Sequence, residues 1–126
     1  MKKAIATTAA PDAVGPYSQG IEANGLVFVS GQLPIDPATG EFAPGGVAEQ
    51  TAQSLKNISA VLAAAGCTMD DVVKTTVFLT DIGKFTEMNE VYATFFEGDC
   101  PARIAVQVGA LPKGAQVEVE VIAMKK

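Results

Sequence analysis

The 126-residue chain contains no histidine and no tryptophan, and its nine basic residues are eight lysines and a single arginine, Arg103. Without an imidazole there is no Ser-His-Asp or Cys-His catalytic arrangement, no HExxH zinc helix and no imidazole proton shuttle. Any chemistry falls to carboxylates, hydroxyls, thiols, backbone groups, lysine or that arginine. Cysteine is scarce as well: Cys67 and Cys100 are too few for a disulfide framework and form no CxxC redox or zinc pair. They read as two separate reduced thiols of a cytoplasmic protein. No apolar run reaches the roughly 20 residues of a membrane helix. The stretch Ala4 to Ala10, broken by two threonines and followed by Pro11, makes a poor export signal.

What is present fits one globular domain over residues 1–126. Apolar residues make up 48% and charged residues 18%, too apolar for a disordered chain. A domain of this size buries roughly two-thirds of the surface of its unfolded chain. The net charge of −5 argues against a general nucleic-acid binder, whose footprint is a strongly basic face.

Patterning predicts the elements. Ala4 to Ala6 is a candidate short strand. Tyr17 to Ala23 and Leu26 to Ser30 flank Asn24-Gly25, the strongest short signal of a hairpin with a type I′ turn. Gly31 to Gly46, with three prolines and four glycines, reads as a loop with a tight turn at Asp36 to Gly40. Ala48, Ala52, Leu55, Ile58, Val61, Leu62 and Ala65 recur at helical spacing within Val47 to Ala65, and Gly66 follows as a cap. Asp71 to Thr80 alternates Val73, Thr75, Val77 and Leu79 against Lys74, Thr76, Phe78 and Thr80, as in a central strand. Lys84 to Glu97 is a second helix with Phe85, Met88, Tyr92, Phe95 and Phe96 on one stripe, which also holds Asn89. Ala102 to Val108 and Gln116 to Met124 close the chain as strands around a turn at Leu111 to Gly114.

This order predicts an α/β (α+β) fold, a mixed sheet with both helices on one face. Phe78, Ile104, Ile122 and Met124 then project from the helix-free side, and a homo-oligomer is the simplest cover for such a patch.

Arg103 is a charge in an otherwise apolar run read as a buried strand. It must meet a carboxylate, either the protein's own in a salt bridge or a ligand's in a bidentate clamp. Glu118 and Glu120 are two apart, which places them on one strand face about 7 Å from each other. They form either a solvated edge face or, against an occluded interface, a group able to hold or activate water. Ser30-Gly31-Gln32 at a strand end is a weaker candidate for presenting backbone N–H groups to an anion. Tyr17 and Ser18 offer hydroxyls. Asn89 is either a satisfied core amide or a ligand contact.

Together, Gly15-Pro16-Tyr17-Ser18-Gln19-Gly20, Val29-Ser30-Gly31-Gln32, Thr75-Thr76-Val77-Phe78, Asn89 to Phe96, Pro101-Ala102-Arg103, Leu111-Pro112 and Glu118 resemble the Rid (YjgF) family of reactive-intermediate deaminases. The resemblance spans nearly the whole chain. It implies a chorismate-mutase-like fold, a homotrimer with clefts between subunits, and hydrolysis of 2-imino acids and their enamines to 2-oxo acids and ammonia without a cofactor or metal. It implies that Arg103 clamps the substrate carboxylate, that Glu118 positions or activates water, and that Tyr17, Ser30, Gly31 and Asn89 line the cleft. Ala105 stands where many imine-deaminating members carry cysteine, so only a backbone contact is expected there. Two other functions stand beside deamination. One is a binding module that holds a small 2-oxo or amino acid without turnover. The other is RNA cleavage or translation inhibition, against which the charge and the missing histidine both weigh.

Overall fold

The computed structural model describes residues 1–126. Lys3–Ile5 (β1), Gly20–Ala23 (β2) and Leu26–Gln32 (β3) form an antiparallel meander. Asn24 and Gly25, at φ 52° and 81°, make the turn that their tolerance of positive φ predicts. β2 starts at Gly20 rather than at Tyr17. Tyr17 and Ser18 belong to the preceding loop, and pairing begins where Ser30 N–H donates to the Gln19 carbonyl at 2.9 Å.

The expected loop from Gly31 to Gly46 is more ordered than its composition suggested. β3 continues to Gln32, and Ile35–Asp36 (β4) pairs with Glu41–Phe42 (β5) as a separate ribbon. The turn between them sits at Asp36 to Gly40 as expected, with Thr39 and Gly40 N–H both donating to the Asp36 carbonyl.

Helix α1, Val47–Ala64, ends as predicted at Gly66, whose φ is 80°. There Gly66 and Cys67 N–H donate to the Ala63 and Leu62 carbonyls at 3.0 and 2.8 Å, a Schellman closure. Its buried face departs from the expected stripe. Along it Gln50, Thr51, Ser54 and Asn57 are buried, while Ala48 and Ala52 are only half-buried. Two of these polar groups serve neighbouring backbone. Asn57 Nδ2 donates to the Leu33 and Ile35 carbonyls, and Gln50 Oε1 accepts from Gln116 N–H.

Val72–Leu79 (β6), helix α2 at Phe85–Ala93, Ala102–Gln107 (β7) and Val117–Met124 (β8) complete the chain. The six-stranded sheet has the order β1-β2-β3-β8-β6-β7, with only β6 and β7 parallel. The mixed sheet with two helices is therefore as the sequence predicts. Three details differ. Val73 is exposed rather than inward, because a bulge between Val72 and Lys74 shifts the alternation and buries Val72 in its place. α2 stops at Ala93 rather than Glu97: the Thr94 hydroxyl folds back onto the Val91 carbonyl at 2.6 Å, and Phe95 N–H bonds Tyr92 O three residues back. The strand carrying Arg103 is the sheet's edge, not a buried strand.

The core lies between the sheet and the helices, with Val117, Val119, Val121 and Ala123 of β8 all facing it. Across the sheet, Phe28 faces Ile122 and Phe78 faces Val106, while Ile104 and Met124 are 51% and 56% exposed. This is the open apolar face that the pattern predicted. Cys67 is buried, Cys100 is exposed, and neither is bonded. No helix is long and apolar enough to cross a membrane.

Gly20 lies close against α1: a Cβ there would lie 2.9 Å from Val61 Cγ1 and 3.3 Å from the Phe28 carbonyl oxygen. A branched side chain and backbone give way poorly. Gly20→Ala is expected to lower stability by about 1–3 kcal/mol, read as a drop in the urea midpoint with the slope unchanged.

Candidate functional site

The sequence-predicted residues fall into two groups, each built around one charge. The first lines a groove of about 620 Å³ between the end of β3, the central strand β8 and the loop before β2. Glu118 and Glu120 project into it from β8, the strand between β3 and β6, and so are not on a sheet edge. Glu118 is half-buried and Glu120 exposed. Burial pushes the Glu118 carboxyl above the ordinary glutamate range, and the neighbouring charge of Glu120 raises it further.

Gly31 lies directly against that carboxyl. A Cβ on Gly31 would sit 2.7 Å from Glu118 Oε2 and 3.0 Å from Cδ, so only a residue without a side chain leaves the carboxylate its place. The irregularity in the β3–β8 pairing between Val29 and Gln32 brings Gly31 there. Ser30 lines the groove, but both its donors are committed. Its hydroxyl donates to the Ser18 carbonyl at 2.6 Å and its N–H to the Gln19 carbonyl. It therefore offers no backbone N–H to an anion. Tyr17, 51% exposed, forms part of the opposite wall, and its hydroxyl oxygen accepts a long 3.4 Å bond from Val14 N–H.

The second group surrounds Arg103. Its Nη1 donates to Asn89 Oδ1 at 2.7 Å. Its Cζ lies 4.7 Å from the centroid of the Tyr92 ring and 5.4 Å from that of Phe85. The three ion pairs of the chain are Lys84–Glu87, Lys125–Glu22 and Lys126–Asp71, so Arg103 has no carboxylate partner of its own. This excludes the internal salt bridge weighed from sequence. The Asn89 carbonyl oxygen is engaged with the guanidinium. Tyr92 is fixed in turn by Thr75, whose Oγ1 is 2.9 Å from the phenol oxygen and which pairs in register with Arg103 across β6 and β7. Burial raises the Tyr92 hydroxyl pKa, against the opposing pull of the Thr75 hydrogen bond and the Arg103 charge. Ala105, two residues along, faces the same way and packs half-buried opposite Val77.

Strand alternation keeps the two groups apart. Arg103 shares its face with Thr75 and Val121, under the helices, whereas Glu118 shares the open face with Phe78. Within one chain the cation and the carboxylate lie on opposite sides of the sheet.

Sequence reasoning missed three contributors. Phe85 and Tyr92 read as core because their helical stripe is a core stripe, although the guanidinium rests on their outer faces. Lys113, inside the turn at Leu111 to Gly114, lines the groove with φ at 59°, a left-handed conformation that a lysine rarely adopts. A Pro-Lys-Gly turn gives no signal of what it faces.

Comparison with known proteins places the chain among close relatives. Residues 7–125 match the family described as endoribonuclease L-PSP. A 2-iminobutanoate/2-iminopropanoate deaminase of Mus musculus is 50% identical over 125 residues, 99% of this chain and 93% of the relative. The structure of YyfA from Yersinia pestis, described as a protein of unknown function of the conserved Rid family, superposes with a TM-score of 0.96 at 52% identity. That match covers 98% of this chain and 99% of the other. E. coli TdcF, solved with bound serine, superposes with a TM-score of 0.94 at 45% identity over 98% and 99% of the two chains.

The Glu118 environment generates a signed pH effect. Its folded pKa is above the unfolded value, so the folded chain holds the extra proton between the two, and stability falls as pH rises through that window. Glu118→Gln is expected to raise the urea midpoint at pH 7, with the gain vanishing below the ordinary glutamate range. Glu120→Gln is expected to lower the Glu118 pKa in a carbon-detected NMR titration and still leave it above that range, because burial is the larger cause.

Proposed function

The chain belongs to the endoribonuclease L-PSP family, which includes the Rid proteins, and on that premise we propose that it hydrolyses reactive 2-imino acids and their enamines. Substrates of the size of 2-iminobutanoate and 2-iminopropanoate would yield the 2-oxo acid and ammonia. The single observation that carries this is a guanidinium held in place by an amide and two rings, with no carboxylate of its own chain to neutralise it. Such a group is set to receive a planar anion, and the 2-carboxylate of an imino acid fits its fork in a bidentate pair.

The other half of the chemistry is water. Hydrolysis adds water to the C=N carbon, moves a proton to nitrogen, and expels ammonia as the oxygen becomes the ketone. Glu118 is suited to take the proton from water and return it to nitrogen, since its raised pKa brings it nearer to neutral pH than an exposed glutamate. Tyr17, Ser30 and Gly31 would wall the cleft, Asn89 would hold Arg103, and Ala105 would contribute backbone alone. Imine hydrolysis is intrinsically fast, so proximity and charge placement suffice and the chain's own groups carry every step.

Because Arg103 and Glu118 face opposite sides of the sheet, the working cleft would form between two chains. We assign a homotrimer, in which the apolar face of Phe28, Ile104 and Met124 is covered by its copies. Two unbonded thiols suit a cytoplasmic setting. Asp12, Glu118 and Glu120 outnumber Lys113 in the groove lining, which is unsuited to a phosphate backbone, so RNA is not the substrate we assign.

The test is a coupled assay in which a pyridoxal-phosphate dehydratase generates the imine and oxo-acid formation is followed. Arg103→Ala is expected to lower kcat/KM by about 10²–10³, the loss of a bidentate charged pair. Glu118→Gln is expected to lower kcat by about 10²–10⁴. An unchanged rate in Arg103→Ala would sink the assignment. Unfolding and refolding the two inactive variants together in equal amounts is expected to restore roughly a quarter of wild-type activity. Each cleft then has a one-half chance of an intact arginine and, independently, of an intact glutamate from the neighbouring chain. No recovery, with mixed trimers present by native mass spectrometry, would place both groups in one chain.

A further inference from the structure

Gln19 is buried, 4% exposed, at the point where the loop Thr7 to Ser18 enters β2, and the mechanism above does not use it. Its carboxamide is saturated by that loop. Nε2 donates to the Pro11 carbonyl at 2.7 Å and to that of Thr7 at 3.0 Å, with a longer 3.4 Å contact to Ala10 O, while Oε1 accepts from Thr7 N–H at 2.6 Å. Its main-chain carbonyl accepts from Ser30 N–H at 2.9 Å, one residue before the glycine that lies against Glu118. One residue thus binds both walls of the groove: the loop that carries Asp12 and Tyr17, and the strand end that seats the carboxylate.

Ala10 also anchors the loop in the core, and beyond it few contacts hold the chain. Residues 12–17 are exposed and Gly15 is at φ 123°. The bond from Ser30 Oγ to Ser18 O is the other tie to the strand. Only a carboxamide of this length accepts at one atom and donates twice at the other. Glutamate lacks the donors, methionine lacks both, and either leaves the Thr7 and Pro11 carbonyls without this partner.

We propose that Gln19 is a positioning residue for the hydrolysis: by tying the Tyr17 loop to its buried side chain and the Ser30–Gly31 strand to its main-chain carbonyl, it sets the spacing between the groove's two walls. The proposal rests on the assignment of this groove as the substrate cleft. Gln19 acts through Tyr17 and Gly31. Substrate capture by Arg103, on the other face of the sheet, does not depend on it.

The experiment compares Gln19→Met, Tyr17→Ala and the double variant in the coupled assay, with hydrogen exchange measured on the same full-length proteins. Gln19→Met is expected to lower kcat by about ten- to a hundredfold, the scale of a misplacement of about 1 Å, with KM changed by less than about threefold. The Thr7 and Ser30 amides are expected to lose protection. Tyr17→Ala in the Gln19→Met background is expected to cost little more, because both act through the same wall. Wild-type kcat in Gln19→Met despite faster exchange, or fully additive losses, overturns the proposal. If Gln19→Met does not fold, Gln19→Asn, which keeps the amide but shortens it by one carbon, is read in the same way. If the wild-type chain shows no deaminase activity, the assignment of the reaction fails by itself. Exchange then decides whether Gln19 couples the walls: unchanged Ser30 protection in the variant overturns the coupling, and its loss supports it.

Discussion

A guanidinium neutralised by no carboxylate is the condition on which the proposed chemistry depends. Arg103 is steadied by the Asn89 carbonyl and by the faces of Tyr92 and Phe85, interactions worth about 0.5–2 kcal/mol each when partly desolvated. A glutamate in the place of Asn89 would hold the side chain more tightly, and would also consume its charge. An amide and two rings fix orientation and leave the fork's remaining donors for a ligand. The cost of keeping that cation half-buried is met by an element with its own support, since Tyr92 is bonded to Thr75 in the core and Thr75 is in register with the arginine.

The second constraint is the two-residue period of a strand. Val117, Val119, Val121 and Ala123 must face the helices, so Glu118 and Glu120 must face away from them, and the same rule on the adjoining strands sends Arg103 inward and Ile104 outward. The cation and the carboxylate cannot be brought together by any local adjustment, because a one-residue slip would expel the core. The apolar face that the sheet leaves open is therefore also the face that carries the carboxylate.

How much of this was legible beforehand follows from which forces act locally. The hairpin at Asn24-Gly25, the Gly66 helix end and the alternation of β8 are decided by nearby backbone conformation and side-chain period, and the sequence displays them plainly. The bulge that exposes Val73, the edge position of β7 and the burial of Gln50, Thr51 and Asn57 are decided by strands and loops distant in the chain. Polar residues along α1 look like a solvated face until the backbone groups of Leu33, Ile35 and Gln116 arrive to meet them. The site divides in the same way. Arg103 and Glu118 stood out by rarity and spacing. Phe85 and Tyr92 were hidden, because an aromatic ring with one face in the core and the other against a cation has the same pattern as a core residue.

The contact between Gly31 and Glu118 has a consequence for how this groove can change. The carboxylate occupies the volume that a side chain at position 31 would fill, so two strands share one functional group between them. Substituting position 31 is therefore equivalent to moving Glu118, even though the changed residue has no chemistry of its own. Variation that retunes the groove has to enter from the loop, through Asp12, Val14 or Tyr17, where side chains border open space. The floor of the groove is filled by one carboxylate, and its open part is the rim.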